Sequence, residues 1–366
     1  MKLHMYFARK FLLTLLSVLA VFLLFLLMLD VVDQLRQFGG GEISSGQALQ
    51  LSLLSVPTAL YQILPLVVLL ATLALYLSLA RTSELVVSRA AGRSALRSLA
   101  APVIAILVVG AFSVGVLNPM VAATSKQYEV QKSTLSVGTP SVLSLNRGGL
   151  WMRQGNADGQ VVLRAARSNL DGTSLFDVTI VAFAPDAGPI YRIQAASAEL
   201  GDGMWLLSEV KRWELAAEVT NPEQGATTHA TMSLPTDLTR DRIRDSFGAP
   251  SAIPVWELPA FIEALERAGF SAQRHRVWLQ MELALPLVFV AMVLIAAGFT
   301  MRHTRFGRTG VMVLMALGMG LALFFLRSFA QVLGENGQIP VALAAWAPPV
   351  IAIFLSLGVV LHLEDG

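Results

Sequence analysis

The chain has 366 residues, of which 55% are apolar and only 14% charged, with a net charge of +2 and no cysteine. Soluble domains carry about 25% charged residues, so an ordinary water-exposed protein is excluded, and so is a disordered one. Without cysteine there are no disulfides, cysteinyl zinc sites or thiolate chemistry, and a charge near zero gives no basis for nucleic-acid binding.

The apolar residues are clumped. Phe11 to Leu29 is a run of 19 residues broken only by Thr14 and Ser17, a helix of about 29 Å that matches a bilayer core. Lys2, Arg9 and Lys10 precede it as in a signal peptide. It is longer than an h-region, however, and Asp30 and Asp33 follow it instead of a small-residue cleavage site, which predicts a retained span. Beyond it, Asp30-Val-Val-Asp-Gln-Leu-Arg-Gln37 reads either as a solvated helix end or as a site for an anionic head group, with Arg36 as its cation.

A second run covers 51–80, with Pro57 and Pro65 inside it, and a third covers 102–117. Between them, Thr82 or Ser83 can cap a helix with Glu84 in its first turn. Arg89, Arg93 and Arg97 follow at i, i+4 and i+8, which predicts a basic helix near 82–99. It is either an interfacial helix on anionic head groups or a docking helix for a cytoplasmic partner, anchored by Leu85, Val86 and Val87.

Residues 140–235 read as β-structure, a meander or sandwich, because turn clusters such as Asn156-Ala157-Asp158-Gly159 and Gly201-Asp202-Gly203 recur between strand-like segments. Their alternation is loose and gives no register. Leu258, Phe261, Ile262 and Leu265 then form one apolar stripe of a short helix ended by Gly269, a connector that packs on the sheet or at the membrane rim.

Three more apolar runs cover 277–299, 311–333 and 341–361. They hold two evident charges, Glu282 and Arg327, both near the outer ends of their spans. Ionisable residues inside a membrane are functional candidates. Glu282 reads as an interface anchor, while for Arg327 anchoring and substrate contact stand level.

The predicted fold is membrane α-helical with six spans, three on each side of an inserted all-β domain. Its expected boundaries are 1–118 for the first three spans, 119–253 for the β-domain, 254–276 for the connector and 277–366 for the last three spans. Ten Lys and Arg residues flank the spans on one side against Arg36 on the other, which predicts cytoplasmic termini and an outer central domain. The sequence has no G-x-x-x-x-G-K-[ST], H-E-x-x-H or G-x-S-x-G motif, and the five histidines lack metal-ligand spacing. The expectation is a non-enzyme with no cofactor and no metal.

Several strings bear a family resemblance. Val32-Asp33-Gln34-Leu35, Leu54-Ser55-Val56-Pro57, Ser83-Glu84-Leu85-Val86-Val87 with Gly92, Gly149-Leu150-Trp151, Thr220-Asn221-Pro222, and Gly269 with Arg274 to Arg276 leading to Pro286 run in order along nearly the whole chain. They resemble the LptF/LptG family of lipopolysaccharide export permeases, its LptG branch more than its LptF branch. The resemblance implies a jellyroll-like periplasmic domain. It also implies a transmembrane subunit of an ATP-driven ABC transporter that extracts lipopolysaccharide from the inner membrane and passes it to a periplasmic bridge. The implied partners are an LptF-like subunit, two copies of an LptB-like ATPase, and LptC-like and LptA-like proteins. Ser83, Glu84, Leu85, Val86, Val87, Arg89 and Gly92 would then form the ATPase-coupling helix, and Arg36, Arg327 and Asp33 would meet lipopolysaccharide. Asp30 and Gln37 replace basic family residues, and Arg327 supplies a cation in exchange. The alternatives are the LptF-type subunit of the same complex and a stand-alone inner-membrane protein whose β-domain binds a partner or ligand.

Overall fold

The computed structural model describes residues 2–38, 44–84, 94–135, 143–146, 149–156, 159–169, 173–183, 188–215, 221–236, 238–239, 250–267, 270–301 and 309–365. The chain forms two compact units. One, of 1–132, 251–256 and 273–366, is helical; the other, of 133–250 and 257–272, holds a sheet.

In the helical unit, α1 spans Lys2–Gln37 and α2 spans Ser45–Arg81. The start of α2 is fixed by a capping box, in which the Ser44 hydroxyl accepts from Gln47 N and the Gln47 side chain accepts from Ser44 N. Helix α3 (Ala95–Phe112) passes through a π turn, Ser113–Leu117, into α4 (Asn118–Leu135). The helical part therefore runs past the boundary expected at 118. Polar residues beyond Asn118 end the apolar run, but they do not end the helix. Pro119 cannot donate to the turn before it, and Gly115 O accepts from the Trp256 indole instead, at 3.2 Å.

The fourth span is broken. Helix α6 (Gln273–Leu283) meets α7 (Leu285–Thr300) at a 50° bend around Ala284, with Pro286 in the first turn of α7. A proline there starts a helix well and continues one badly. Helices α8 (Thr309–Glu335) and α9 (Val341–Asp365) complete the unit. Among the described residues five helices are long and apolar enough to cross a membrane, and the bent pair, counted as one span, makes six.

The core lies between α2 and α7. Leu69, Leu75 and Tyr76 of α2 and Phe289, Ala291, Met292 and Val293 of α7 are all buried. Helix α7 is apolar on every side, as a central helix must be. Where α3 crosses α7, a Cβ on Gly110 would sit 2.7 Å from Pro286 Cα. Only glycine allows that backbone approach. By contrast α1 and α8 leave wide apolar faces uncovered by this chain, including Leu13, Leu24, Phe25 and Met28 on one and Leu314, Met319, Phe325 and Phe329 on the other.

In the second unit, seven strands run in sequence order, each antiparallel to its neighbour: β1 (Leu143–Asn146), β2 (Gly149–Asn156), β3 (Gly159–Ser168), β4 (Ser174–Phe183), β5 (Pro189–Gly201), β6 (Met204–Glu214) and β7 (Thr227–Pro235). Of the two arrangements the turn pattern left open, the described strands form the meander, with no Greek-key crossing among them. Leu163, Val178, Ile180, Ile193, Trp205, Leu207 and Val210 fill the buried side. The connector forms α5 (Leu258–Arg267), with Leu258, Ile262 and Leu265 buried and grouped with the sheet unit.

The alternation slips once in each of four adjacent strands. Buried positions run Ala165 then Ser168, Leu175 then Val178, Ala195 then Ala198, and Leu207 then Val210. The slips share one row, where Ala166, Asp177, Ala196 and Glu209 drop out of the pairing while the register on both sides stays in step. Asp177 and Glu209 take left-handed backbone there, at φ 54° and 52°. A row in which every strand carries one extra residue turns the pleat over without breaking the ladder.

Candidate functional site

The first candidate site sits where the loop after α2 begins. Thr82 closes α2, and Ser83 adopts φ 58°, a left-handed conformation that swings the chain back toward α1. Glu84 follows, and two helices converge on its carboxylate. Lys10 Nζ donates to Oε1 at 2.8 Å, Tyr6 OH to Oε2 at 2.9 Å, and Thr82 Oγ1 to Oε1 at 2.9 Å. Lys10 also lies over the Tyr6 ring, 5.6 Å from its centroid. The Lys10 bond, helped by those from Tyr6 and Thr82, holds the Glu84 carboxyl below its usual range against a smaller opposing effect of burial. The tie is therefore complete at neutral pH and is lost only in acid, as pH falls through the lowered value.

Of the expected docking residues, Ser83 and Glu84 are described, while Leu85, Val86, Val87, Arg89 and Gly92 lie outside the described residues. The expected helix near 82–99 is not continuous. Ser94 is extended (φ −68°, ψ 155°) and caps α3, its hydroxyl accepting from Arg97 N at 3.2 Å. Arg97 therefore belongs to the first turn of α3. The serine cap outweighs the i, i+4 spacing of the arginines.

At the other end of α1, Asp30 Oδ2 accepts from Ser55 Oγ at 2.6 Å and from Gln34 Nε2 at 3.4 Å, and Gln34 also reaches Tyr128 OH at 3.1 Å. These bonds pin α1 to α2 and α4. Asp33 is exposed and accepts from Gln37 at 3.1 Å. Arg36, also exposed, lies in the last turn of α1, where a cation suits the helix dipole.

The two in-span charges come together at the break between α6 and α7. Glu282 is 2% exposed and accepts from Tyr61 OH at 2.5 Å. It anchors nothing at an interface, which corrects the expectation from its position near the span's end. Arg327 Nη2 lies 3.5 Å from Met281 O, a carbonyl at the end of α6, and its charge interacts with that of Glu282. Asn118, just past the π turn, stands near Tyr61 and Glu282 and accepts from Val255 N at 2.9 Å. This cluster joins α2, α4, α6, α8 and the segment before α5 at the two places where the helices depart from regular geometry. Such irregularities often mark working parts of a helix bundle. Sequence separations of 221 between Tyr61 and Glu282 and 74 between Lys10 and Glu84 hid both clusters from any periodic pattern.

Among the described residues no group of His, Asp and Glu is arranged to hold a metal. Among the described residues the geometry offers positioned charges held between helices.

Comparison with known proteins extends over nearly the whole chain. The family model described as lipopolysaccharide export system permease LptF/LptG matches residues 5–362. The lipopolysaccharide export system permease protein LptG of Escherichia coli (strain K12) is 27% identical over 328 residues, covering 88% of this chain and 86% of that protein. The protein of the same name from Haemophilus influenzae is 23% identical over 329 residues, covering 88% of each.

Proposed function

Because the chain belongs to the family of lipopolysaccharide export system permeases LptF/LptG, we propose that it is the LptG-type transmembrane subunit of an ATP-driven exporter. In this reading it pairs with an LptF-like subunit, is driven by two copies of an LptB-like ATPase and delivers lipopolysaccharide to LptC-like and LptA-like proteins. Both termini lie in the cytoplasm and the sheet unit in the periplasm. The chain itself carries out no chemistry.

The observation that carries the mechanism is the convergence of α1 and α2 on Glu84. A partner that pushes the segment after Glu84 pushes two spans at once, because the carboxylate is bonded to both. The uncovered apolar faces of α1 and α8, the first and fifth spans, suit a cavity wall completed by a second subunit and by acyl chains. In this reading Arg36, in the last turn of α1, supplies a cation for a lipid phosphate, with the exposed Asp33 one turn before it. Arg327 acts with Glu282 at the helix break and reaches substrate only if that cluster opens.

The reading is tested by co-purification in mild detergent. An ATP-binding subunit and an LptF-like subunit should elute with the chain. Elution without any ATPase would favour a stand-alone membrane protein.

A further inference from the structure

Helix α3 cannot run unbroken into α4, and the reason decides what fills the gap. Pro119 has no N–H for the carbonyl one turn before it, and the chain passes it through a π turn in which Asn118 N donates to Ser113 O. The joint turns two acceptors outward, the Gly115 carbonyl and the Asn118 side-chain oxygen. Two consecutive residues take them. Val255 N donates to Asn118 Oδ1 at 2.9 Å, and the Trp256 indole to Gly115 O at 3.2 Å. Val255 and Asn118 are buried, whereas Trp256 is 70% exposed. Residues 251–256 are grouped with the helical unit although the chain on both sides, 133–250 and 257–272, is grouped with the sheet. Their hold on the helices rests on these two bonds and on the packing of Val255 in the helix core.

Beyond the joint, α4 is a lever. Tyr128, about 15 Å further along it, accepts through its hydroxyl from Gln34 Nε2 at 3.1 Å. One turn earlier on α1, Asp30 is held by Ser55 of α2 at 2.6 Å. The last two turns of α1, with Asp33 and Arg36, are therefore tied to α4 just past a fixed point on α2. Proline and π turns are where helices bend, and a bend of about 20° at the joint moves Tyr128 by about 5 Å. That exceeds the reach of a hydrogen bond, so the end of α1 follows α4 or is released by it.

We propose that residues 251–256 are a clasp on the α3–α4 joint. Seated, Val255 and Trp256 satisfy both outward acceptors and hold α4 rigid on α3. Lifted, they free α4 to swing and to carry the last turns of α1, with Arg36. The clasp rests on the reading of the chain as a driven transport subunit and gives that subunit a moving part at the end of α1 opposite Glu84.

The test uses the chain assembled with an LptF-like subunit and an ATP-binding subunit in liposomes holding lipopolysaccharide. Hydrogen exchange at the Val255 amide reports the clasp. In the parent it should quicken about tenfold or more during ATP turnover. In the double variant Asn118→Ala with Trp256→Phe it should be fast without nucleotide, and lipopolysaccharide transferred per ATP should fall about tenfold, because a joint that is always free no longer moves in step with hydrolysis. Trp256→Phe alone leaves Asn118 beside Tyr61 and Glu282 and should show the same changes more weakly. Tyr128→Phe cuts the lever from α1 and spares the clasp, so transfer per ATP should fall while exchange at Val255 still quickens with ATP. Glu257→Gln, one residue past the clasp, should behave as the parent does. Exchange at Val255 that is the same with and without ATP in a transporting parent overturns the proposal, as does parental transfer per ATP in the double variant or in Tyr128→Phe. A parent complex that transports nothing removes the functional reading itself.

Discussion

Glu84→Lys should uncouple transport from ATP hydrolysis while leaving the chain inserted and folded. The substitution places a second ammonium beside Lys10 and removes the acceptor of three bonds, those from Lys10, Tyr6 and Thr82. The stability at stake is small, because the Lys10 and Glu84 side chains are 25% and 30% exposed and such pairs contribute about 0–1 kcal/mol. Geometry is what the change destroys. With like charges at the junction, the start of the loop detaches from α1, and force on the segment beyond reaches α2 alone. Coupling between distant sites is ordinarily about 1–3 kcal/mol, so transport per ATP hydrolysed should fall about tenfold or more. Lipopolysaccharide release from proteoliposomes, measured beside phosphate production, checks this, with Glu84→Gln intermediate because an amide still accepts from Lys10. Unchanged transport per ATP in Glu84→Lys would remove the junction from the mechanism.

The second large effect is on stability. Glu282→Ala leaves Tyr61 without its acceptor and removes the negative charge whose field acts on Arg327, both inside the helical unit. Leaving a buried cation less compensated and a buried hydroxyl without its acceptor costs about 3–5 kcal/mol, enough to lower the thermal midpoint of a unit this size by about 10 °C. Tyr61→Phe should cost less, about 1–3 kcal/mol, since it removes one hydrogen bond and leaves both charges in place. The double variant Glu282→Leu with Arg327→Met should recover most of the loss, because an apolar pair of similar volume leaves no charge uncompensated. Thermal unfolding of the parent, Glu282→Leu, Arg327→Met and the double variant in one detergent closes the cycle. Additive losses from the Glu282 and Arg327 substitutions would mean that the two charges do not act together.

The helices were legible because a bilayer demands about 20 apolar residues per span and the chain supplies six such runs. Their interruptions were not. Pro286 sits inside a stretch that hydropathy reads as a single span, so the 50° bend shows only in three dimensions. Helix α4 continues to Leu135 through Lys126, Gln127 and Glu129, which read as the end of a span because hydropathy reports the solvent and not the backbone. In the sheet, strand positions were legible from turn residues, while the alternation looked loose for a physical reason. Each central strand reverses its phase at the row of Ala166, Asp177, Ala196 and Glu209, so no single period of two fits its length.

The site was legible in part. Glu84 stood out by its string, yet its partners on α1 lie 74 and 78 residues away and were visible only as the basic flank of the first span. Glu282 and Arg327 were flagged as charges in apolar runs. Their meeting depends on the α6–α7 break and on Asn118 at the π turn, neither of which has a sequence period. Arg97 looked like part of a basic stripe until Ser94 proved to be the cap of a new helix.

The most direct test of the account is reconstitution of the chain with its LptF-like partner and ATP-binding subunit in liposomes loaded with lipopolysaccharide. With ATP, lipopolysaccharide should pass to an added LptA-like acceptor, and Arg36 bearing a photocrosslinker should trap it on the way. Without ATP, or without this chain, the acceptor should stay empty. Transfer that proceeds equally when this chain is omitted, or that needs no nucleotide, would contradict its role as the driven permease subunit.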